Sequence, residues 1–238
     1  MATQTTGEDA AEREALLASS FLFEALDAKG RRELAGHARI QHFAAGSAIF
    51  RAGTPGYSVM AIAAGTVRIS LLTPNAREVV LAELGKGDVF GEVALLDGGE
   101  RSADATAVTN CRLVVLDRRW VLALLESEPK LAIGLVELLC ARIRRSDARM
   151  LEFSFLDLPA RLARTLIRAT TPPAGSDARP IAKLALSQTV LANMVGGARE
   201  NVNRCLRNWQ RAGVVELKGG WLIVLDRAAL EALCEPAG

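Results

Sequence analysis

The chain has 238 residues, of which 50% are hydrophobic and 24% charged, an ordinary balance for a globular protein and too apolar for a disordered one. No run approaches the ~18 uninterrupted apolar residues of a membrane span. Residues 1–10 hold no Lys, Arg or apolar run, so neither a signal peptide nor a membrane partner is expected and the expected location is the cytoplasm. Four scattered cysteines (Cys111, Cys140, Cys205, Cys234) form no CxxC pair, which argues against a zinc site or disulfide framework. The formal charge of +2 hides an asymmetry. From Leu158 onward eleven Lys and Arg stand against six Asp and Glu, so the first 157 residues are net acidic. Two modules are expected, the second meeting a polyanion, although a solvated basic face explains the charge alone equally well.

In chain order, Glu12 to Leu34 has helical apolar spacing and predicts one or two short helices. From Gly46 to Asp117 glycines punctuate short strand-like runs: Ser47–Phe50, Ser58–Ala63, Thr66–Leu72, Glu78–Leu84, Ala103–Val108 and Arg112–Leu116. Such a pattern reads as an all-β barrel, sandwich or jelly roll. Arg118–Glu126 predicts a short helix, and Pro129 suits the first turn of another. Beyond it Ala132, Val136, Leu139, Ile143, Ser146, Met150 and Phe153 recur at alternating steps of four and three. That is the seam of a helix packed on a partner helix, with a core helix of one chain as the alternative. Ser146, beside Asp147, is the polar member of the stripe: a tolerated register residue or a group aimed at a ligand.

Leu158–Ala169 predicts another helix, and Thr171–Pro180 a turn-rich linker. Ser187 is a plausible N-cap for a helix through Val195. Gly196-Gly197 breaks that helix, and a second runs from Arg199 to about Gly213. Its buried stripe is Val202, Cys205, Leu206 and Trp209, with Glu200, Asn203, Arg204, Arg207 and Arg211 roughly opposite. Val214–Leu217 and Trp221–Leu225 flank Lys218-Gly219-Gly220, a hairpin signal that makes the whole a winged helix–turn–helix.

Two groups of residues carry chemistry. Gly91 at the start of a short helical turn leaves N–H groups free for an oxyanion. Arg101 can pair a phosphate bidentately, Ser102 can add a hydroxyl, and Glu92 can accept from a sugar hydroxyl. The plain alternative is a turn glycine with a surface Glu–Arg pair. On the second helix of the winged module, arginines read guanine, and Glu200 among them is better explained as accepting from cytosine than as facing a phosphate.

The run GEVALLDGGERSADATA resembles the phosphate-binding cassette of cyclic-nucleotide-binding domains. With the β-region, long helix, Phe155-Leu156-Asp157 segment and Arg199-Glu200 with Arg204 in this order, the chain resembles the cyclic-AMP receptor protein/FNR superfamily of bacterial regulators. The resemblance covers nearly everything after the N-terminal tail. It implies an α+β protein: an N-terminal β-roll, jelly-roll-like, with a long dimerisation helix (about 129–155), then a C-terminal winged helix–turn–helix. Residues 1–157 would form the effector domain and residues 158–238 the DNA-binding domain.

By that resemblance Glu92 takes the ribose 2′-hydroxyl and Arg101 with Ser102 the cyclic phosphate. Gly91, Val93, Ala94 and Ala103 line the pocket, Ile69 and Leu81 supply apolar walls, and Ser146 meets the purine. Arg199, Glu200 and Arg204 are the implied base readers, with Asn203, Arg207, Lys218, Ser187 and Gln188 as neighbouring DNA contacts. The implied protein is no enzyme and needs no cofactor. It is a homodimer that answers to cyclic AMP, or to cyclic GMP, and binds double-stranded DNA at palindromic operators with TGTGA-type half-sites. The linker around Pro172–Pro180 is an implied contact for RNA polymerase.

Departures from the pattern are Asp147 for a neutral hydroxyl, Ala82 for a polar wall residue, Ala198 for a capping Ser and Gln188 for a basic residue. The runner-up is a regulator of the same family that binds no cyclic nucleotide or senses another signal. Haem or iron–sulfur sensing is disfavoured, because His37 and His42 are the only histidines and no N-terminal cysteine cluster exists. A cupin-like metalloenzyme would need His and carboxylate ligands on adjacent strands, and no histidine follows Phe43. A regulatory subunit of a kinase or channel would leave the basic winged helix unexplained.

Overall fold

The computed structural model describes residues 7–24, 26–75, 77–171, 183–184 and 186–234. Three helices come first, one more than the upper expectation: α1 (Gly7–Ala18), α2 (Phe21–Glu24) and α3 (Ala28–His37). Asp27 caps α3 by accepting from the Gly30 amide at 2.7 Å. Then come β1 (Arg39–Phe43), β2 (Ala48–Phe50), β3 (Ser58–Ala64), β4 (Val67–Leu72), β5 (Glu78–Leu84) and β6 (Val89–Phe90). The short α4 (Glu92–Asp97) separates these from β7 (Asp104–Ala107) and β8 (Cys111–Asp117).

The strands form two four-stranded sheets, in the orders β1-β8-β3-β6 and β2-β7-β4-β5. Met60, Ile62, Leu113 and Val115 point from the first sheet into the space between them, where they meet Val67, Ala105 and Ala107 of the second. The alternate residues Val59, Ala61, Val114 and Leu116 pack on the other side, against Leu17, Leu22, Phe23, Leu34 and Val121 of the helices. Both faces of β3 and β8 are therefore buried, which is why these strands read as continuous apolar runs rather than alternating ones.

Two helices follow, α5 (Arg118–Ser127) and the long α6 (Pro129–Phe155), which begins at the expected proline. Leu131 and Leu135 are buried on one side of α6, with Leu138 packed beside them. On the heptad stripe, Val136, Ile143, Met150 and Phe153 remain exposed. Within one chain that stripe is not core.

The chain divides into two compact units, Met1–Leu72 with Val80–Ile143, and Thr73–Val79 with Arg144–Gly238. In the second, Asp157 caps α7 (Leu158–Thr170) by accepting from the Ala160 amide at 2.9 Å. Next are β9 (Lys183–Leu184), α8 (Gln188–Val195), α9 (Arg199–Arg211), β10 (Val215–Lys218), β11 (Trp221–Val224) and α10 (Arg227–Ala232). Leu162, Leu166, Leu191, Val202, Leu206 and Leu222 form the core of this module. Cys205, expected in the stripe of α9, is half-buried. The wing is a sheet of order β10-β11-β9, and its turn takes positive φ at both Gly219 (58°) and Gly220 (79°). Two-residue hairpin turns of that kind favour glycine because a Cβ would clash with its own backbone. The linker 172–180 lies outside the described residues. Among those described, no helix is long and apolar enough to cross a membrane.

Candidate functional site

The first site grows from the end of β6. Gly91 adopts φ 82°, turning the chain into α4, and a Cβ there would lie 2.5 Å from Arg101 Nη1. Glycine is needed both for the turn and for the close approach of the guanidinium. Arg101 is 6% exposed. Its Nη1 donates to the carbonyls of Ser58 (2.8 Å) and Gly91 (3.0 Å), its Nη2 donates to Ser58 Oγ (2.9 Å), and it lies 4.3 Å over the Phe50 ring. Every one of these acceptors is neutral, and Nε has no hydrogen-bond partner among the described residues. Burial pushes the Arg101 pKa down against the pull of Glu92. This is a buried cation whose hydrogen-bond acceptors are all neutral, with Glu92 acting on it only through space, a costly arrangement unless an anion is to be supplied.

Glu92 begins α4 and is fully buried. Its Oε1 accepts from Arg142 Nη1, while Oε2 is buried without a partner. Arg142 also donates through Nη2 to the Val89 carbonyl at 2.7 Å. Burial raises the Glu92 carboxyl above its ordinary value, and it outweighs the opposing pull of Arg142 and Arg101.

Phe50, Ile69 and Phe90 wall the space between these groups. Gly91, Glu92, Val93, Ala94, Arg101, Ser102 and Ala103 line the same cavity, so eight of the ten expected effector residues come together. Leu81 does not line it: it stands on β5, 39% exposed. Ser146 is exposed on α6. Arg142 lines the cavity and was not anticipated. Its signal was present: Leu131, Leu135, Leu138 and Arg142 recur at steps of four, three and four, so the arginine ends the buried stripe. The cavity, with Arg142 among its walls, is about 30 Å³.

The second site is the outer face of α8, α9 and the wing. Ser187 caps α8, its hydroxyl accepting from the Val190 amide at 3.2 Å. Ala198 precedes α9 and offers no side-chain cap, as its residue type dictates. Burying Val202, Leu206 and Trp209 rotates Arg199, Glu200, Arg204 and Arg207 to the exposed side. Arg204 donates to Asn201 Oδ1 at 2.9 Å, and the buried Asn203 Oδ1 has no partner. A groove of about 550 Å³ brings Ser187, Gln188, Arg199 and Lys218 together and includes Trp221. Neither Asn201 nor Trp221 was anticipated as part of this face.

Residues 40–128 match the family described as cyclic nucleotide-binding domain, and residues 160–233 match the Crp-like helix-turn-helix domain. The cyclic AMP receptor protein of Thermus thermophilus is 36% identical over 188 residues, 79% of this chain and 84% of that protein. The CRP-like cAMP-activated global transcriptional regulator of Mycobacterium tuberculosis is 28% identical over 216 residues, 90% of this chain and 96% of that one. Among solved structures, the Thermus thermophilus catabolite activator protein is 32% identical, with TM-score 0.52, over 90% of this chain and 98% of its own. The c-di-GMP responsive global regulator CLP of Xanthomonas campestris superposes with TM-score 0.74 over 84% of this chain and 100% of its own. At 24% identity that last likeness shows the fold alone.

Proposed function

The chain belongs to the cyclic AMP receptor protein/FNR family of DNA-binding transcriptional regulators, and from that premise we propose that it is a homodimer switched by a cyclic purine nucleotide, cyclic AMP first. The family is one of regulators rather than enzymes. The observation that carries the effector reading is Arg101: a buried guanidinium with neutral acceptors only and an unpartnered Nε, beside the unpartnered Oε2 of Glu92. A cyclic phosphate supplies the missing anion and a ribose hydroxyl the missing donor. Ser102 and the backbone from Gly91 to Ala94 complete the cradle, Ile69 and Ala103 its walls.

Pockets that enclose drug-sized ligands run to about 300 Å³ or more. The cavity lined by Arg142 is an order of magnitude smaller, and in this reading the nucleotide enters by displacing Arg142 from Glu92. Arg142 sits on α6, whose exposed heptad stripe is the dimer seam in this reading, and Ser146 of that stripe meets the purine. Displacing Arg142 then resets the long helices, and the population shifts towards the DNA-binding form. Two winged helices related by a two-fold axis read half-sites about one helical turn apart. Arg199, Glu200 and Arg204 read base edges; Asn203, Arg207, Lys218, Ser187 and Gln188 hold the register.

Calorimetric titration with cyclic AMP and cyclic GMP, on the wild type and Arg101→Ala, tests the effector reading. Saturable binding lost in the variant supports it, and binding unchanged in Arg101→Ala overturns the phosphate assignment. The second reading, a regulator that answers to another signal, is favoured by the small volume of the cavity. It gains if neither nucleotide binds while operator binding persists. The cyclic-AMP-activated regulator of Mycobacterium tuberculosis and the c-di-GMP responsive one of Xanthomonas campestris differ in their named effectors, so the fold by itself does not choose. RNA polymerase contact through residues 172–180 belongs to this proposal too, on segments outside the described residues.

A further inference from the structure

Trp221 is out of place for a core residue. It is the first residue of β11, directly after the Gly219–Gly220 turn and opposite Lys218 in the hairpin register. The other tryptophan of this module, Trp209, is 8% exposed and packs in the core, whereas Trp221 is 40% exposed. Leaving so large an apolar ring in water forgoes burial energy that a smaller or polar residue at the wing would not lose. The ring is nevertheless held in place: Lys183 Nζ lies 4.2 Å from its centroid.

Its neighbours say what it faces. Trp221 lines the groove of about 550 Å³ that also holds Gln188, Arg199 and Lys218, and no carboxylate lines that groove among the described residues. Lys183, stacked on the ring, adds another cation beside it. An aromatic plate flanked by cations and continuous with the base-reading helix is complementary to the deoxyribose–phosphate backbone. The sugar offers an apolar C–H face and each phosphate an acceptor.

We propose that Trp221 is a DNA-contact residue, packing on the backbone beside the bases read by α9, with Lys183 and Lys218 on the adjoining phosphates. The inference rests on the DNA-binding reading of α9. The two Gly residues of the turn carry no side chain, which lets the wing backbone approach the duplex closely.

The experiment uses the full-length protein and a fluorescein-labelled duplex selected by it from a random pool. Anisotropy gives occupancy, and tryptophan emission is read at matched saturation. Emission should be quenched in the wild type, and most of that change should vanish in Trp221→Phe. Trp221→Ala should weaken binding about tenfold, equally for the selected and an unrelated duplex, because the contact reads no base. Lys183→Ala, an exposed change, should lower the slope of log K against log salt by about 1.8, one phosphate contact being lost from each protomer of the dimer. Full quenching in Trp221→Phe, or unchanged affinity in Trp221→Ala, would overturn the inference while leaving the DNA-binding reading intact. A wild type that binds no duplex either with or without saturating cyclic AMP would overturn both.

Discussion

Arg142 of α6 and Glu92 of α4 share one hydrogen-bonded ion pair although 50 positions separate them in the chain, and the carboxylate oxygen that Arg142 does not take is buried without a partner. The pair thus joins the long helix to the floor of the candidate pocket and leaves part of the floor unsatisfied. Arg142→Gln should cost stability, because Glu92 would lose its one charged hydrogen-bond partner among the described residues. The loss is held to about 1–3 kcal/mol by the ability of Glu92 to take up a proton. Thermal unfolding measures it; an unchanged transition would mean that the pair contributes no net stability.

The same pair sets a pH dependence. Burial raises the Glu92 pKa in the folded protein above its unfolded value. Stability from this group is therefore fully present below the ordinary carboxylate range, about pH 4, and is lost as pH rises through the raised value. Glu92→Gln is neutral throughout and lacks this loss. Relative to the variant, the wild type should unfold at progressively lower temperature from about pH 4 to pH 7. A difference in Tm that stays constant across that range would show that Glu92 ionisation is not linked to folding.

Gly91→Ala tests whether the turn or the nucleotide chemistry decides that position. The substitution places a Cβ at φ 82° and 2.5 Å from Arg101 Nη1, so the backbone is strained and the guanidinium must move. A destabilisation of about 1–2 kcal/mol is expected from the left-handed conformation. Because Arg101 must shift, cyclic-nucleotide affinity should fall beyond the change in stability. Calorimetry on the folded variant separates the two: full affinity would detach Arg101 from ligand binding.

How much of this was legible in the sequence follows from burial. The strands β3 and β8, sandwiched on both faces, stood out as apolar runs, β3 bounded by Gly56 and Gly65, and α9 was marked by its stripe of Val202, Leu206 and Trp209. β1 was not, because Arg39–Phe43 pairs along β8 with its side chains largely exposed or half-exposed, leaving no apolar alternation. β6 and β9 are two residues each, too short for any periodicity. In the pocket, Gly91, Glu92, Arg101 and Ser102 were legible because they lie in one contiguous stretch of chain. Arg142 comes from a helix whose other face carries the heptad, and charge at the end of a buried stripe is a faint signal. Leu81 was expected as a wall by the family resemblance alone and stands exposed on β5, since a position carried over from a family pattern does not fix which side chains this sheet turns towards the cavity.

The heptad stripe makes a prediction about assembly. Val136, Ile143 and Met150 are exposed at helical spacing on α6, an apolar seam that a second copy would cover. Ile143→Asp places a charge at the middle of that seam and leaves the buried stripe of Leu131 and Leu135 untouched. Sedimentation equilibrium should show a dimer for the wild type and a shift towards monomer in the variant. Equal dissociation constants would mean that the stripe is not the seam.

In the proposed reading Glu200 is the residue of α9 that accepts from a base. It stands exposed in the first turn of α9 with Arg199, Arg204 and Arg207. A carboxylate there is repelled by phosphates, so the proposal gives it a donor on the duplex, the amino group of cytosine. Glu200→Ala should then relax the preference at one base pair by about 1–3 kcal/mol while non-specific binding strengthens slightly, since a negative charge has left the face. Selection from a random pool at fixed salt, on wild type and variant side by side, reads the preference position by position. A uniform change across all positions would assign Glu200 to the backbone field rather than to a base.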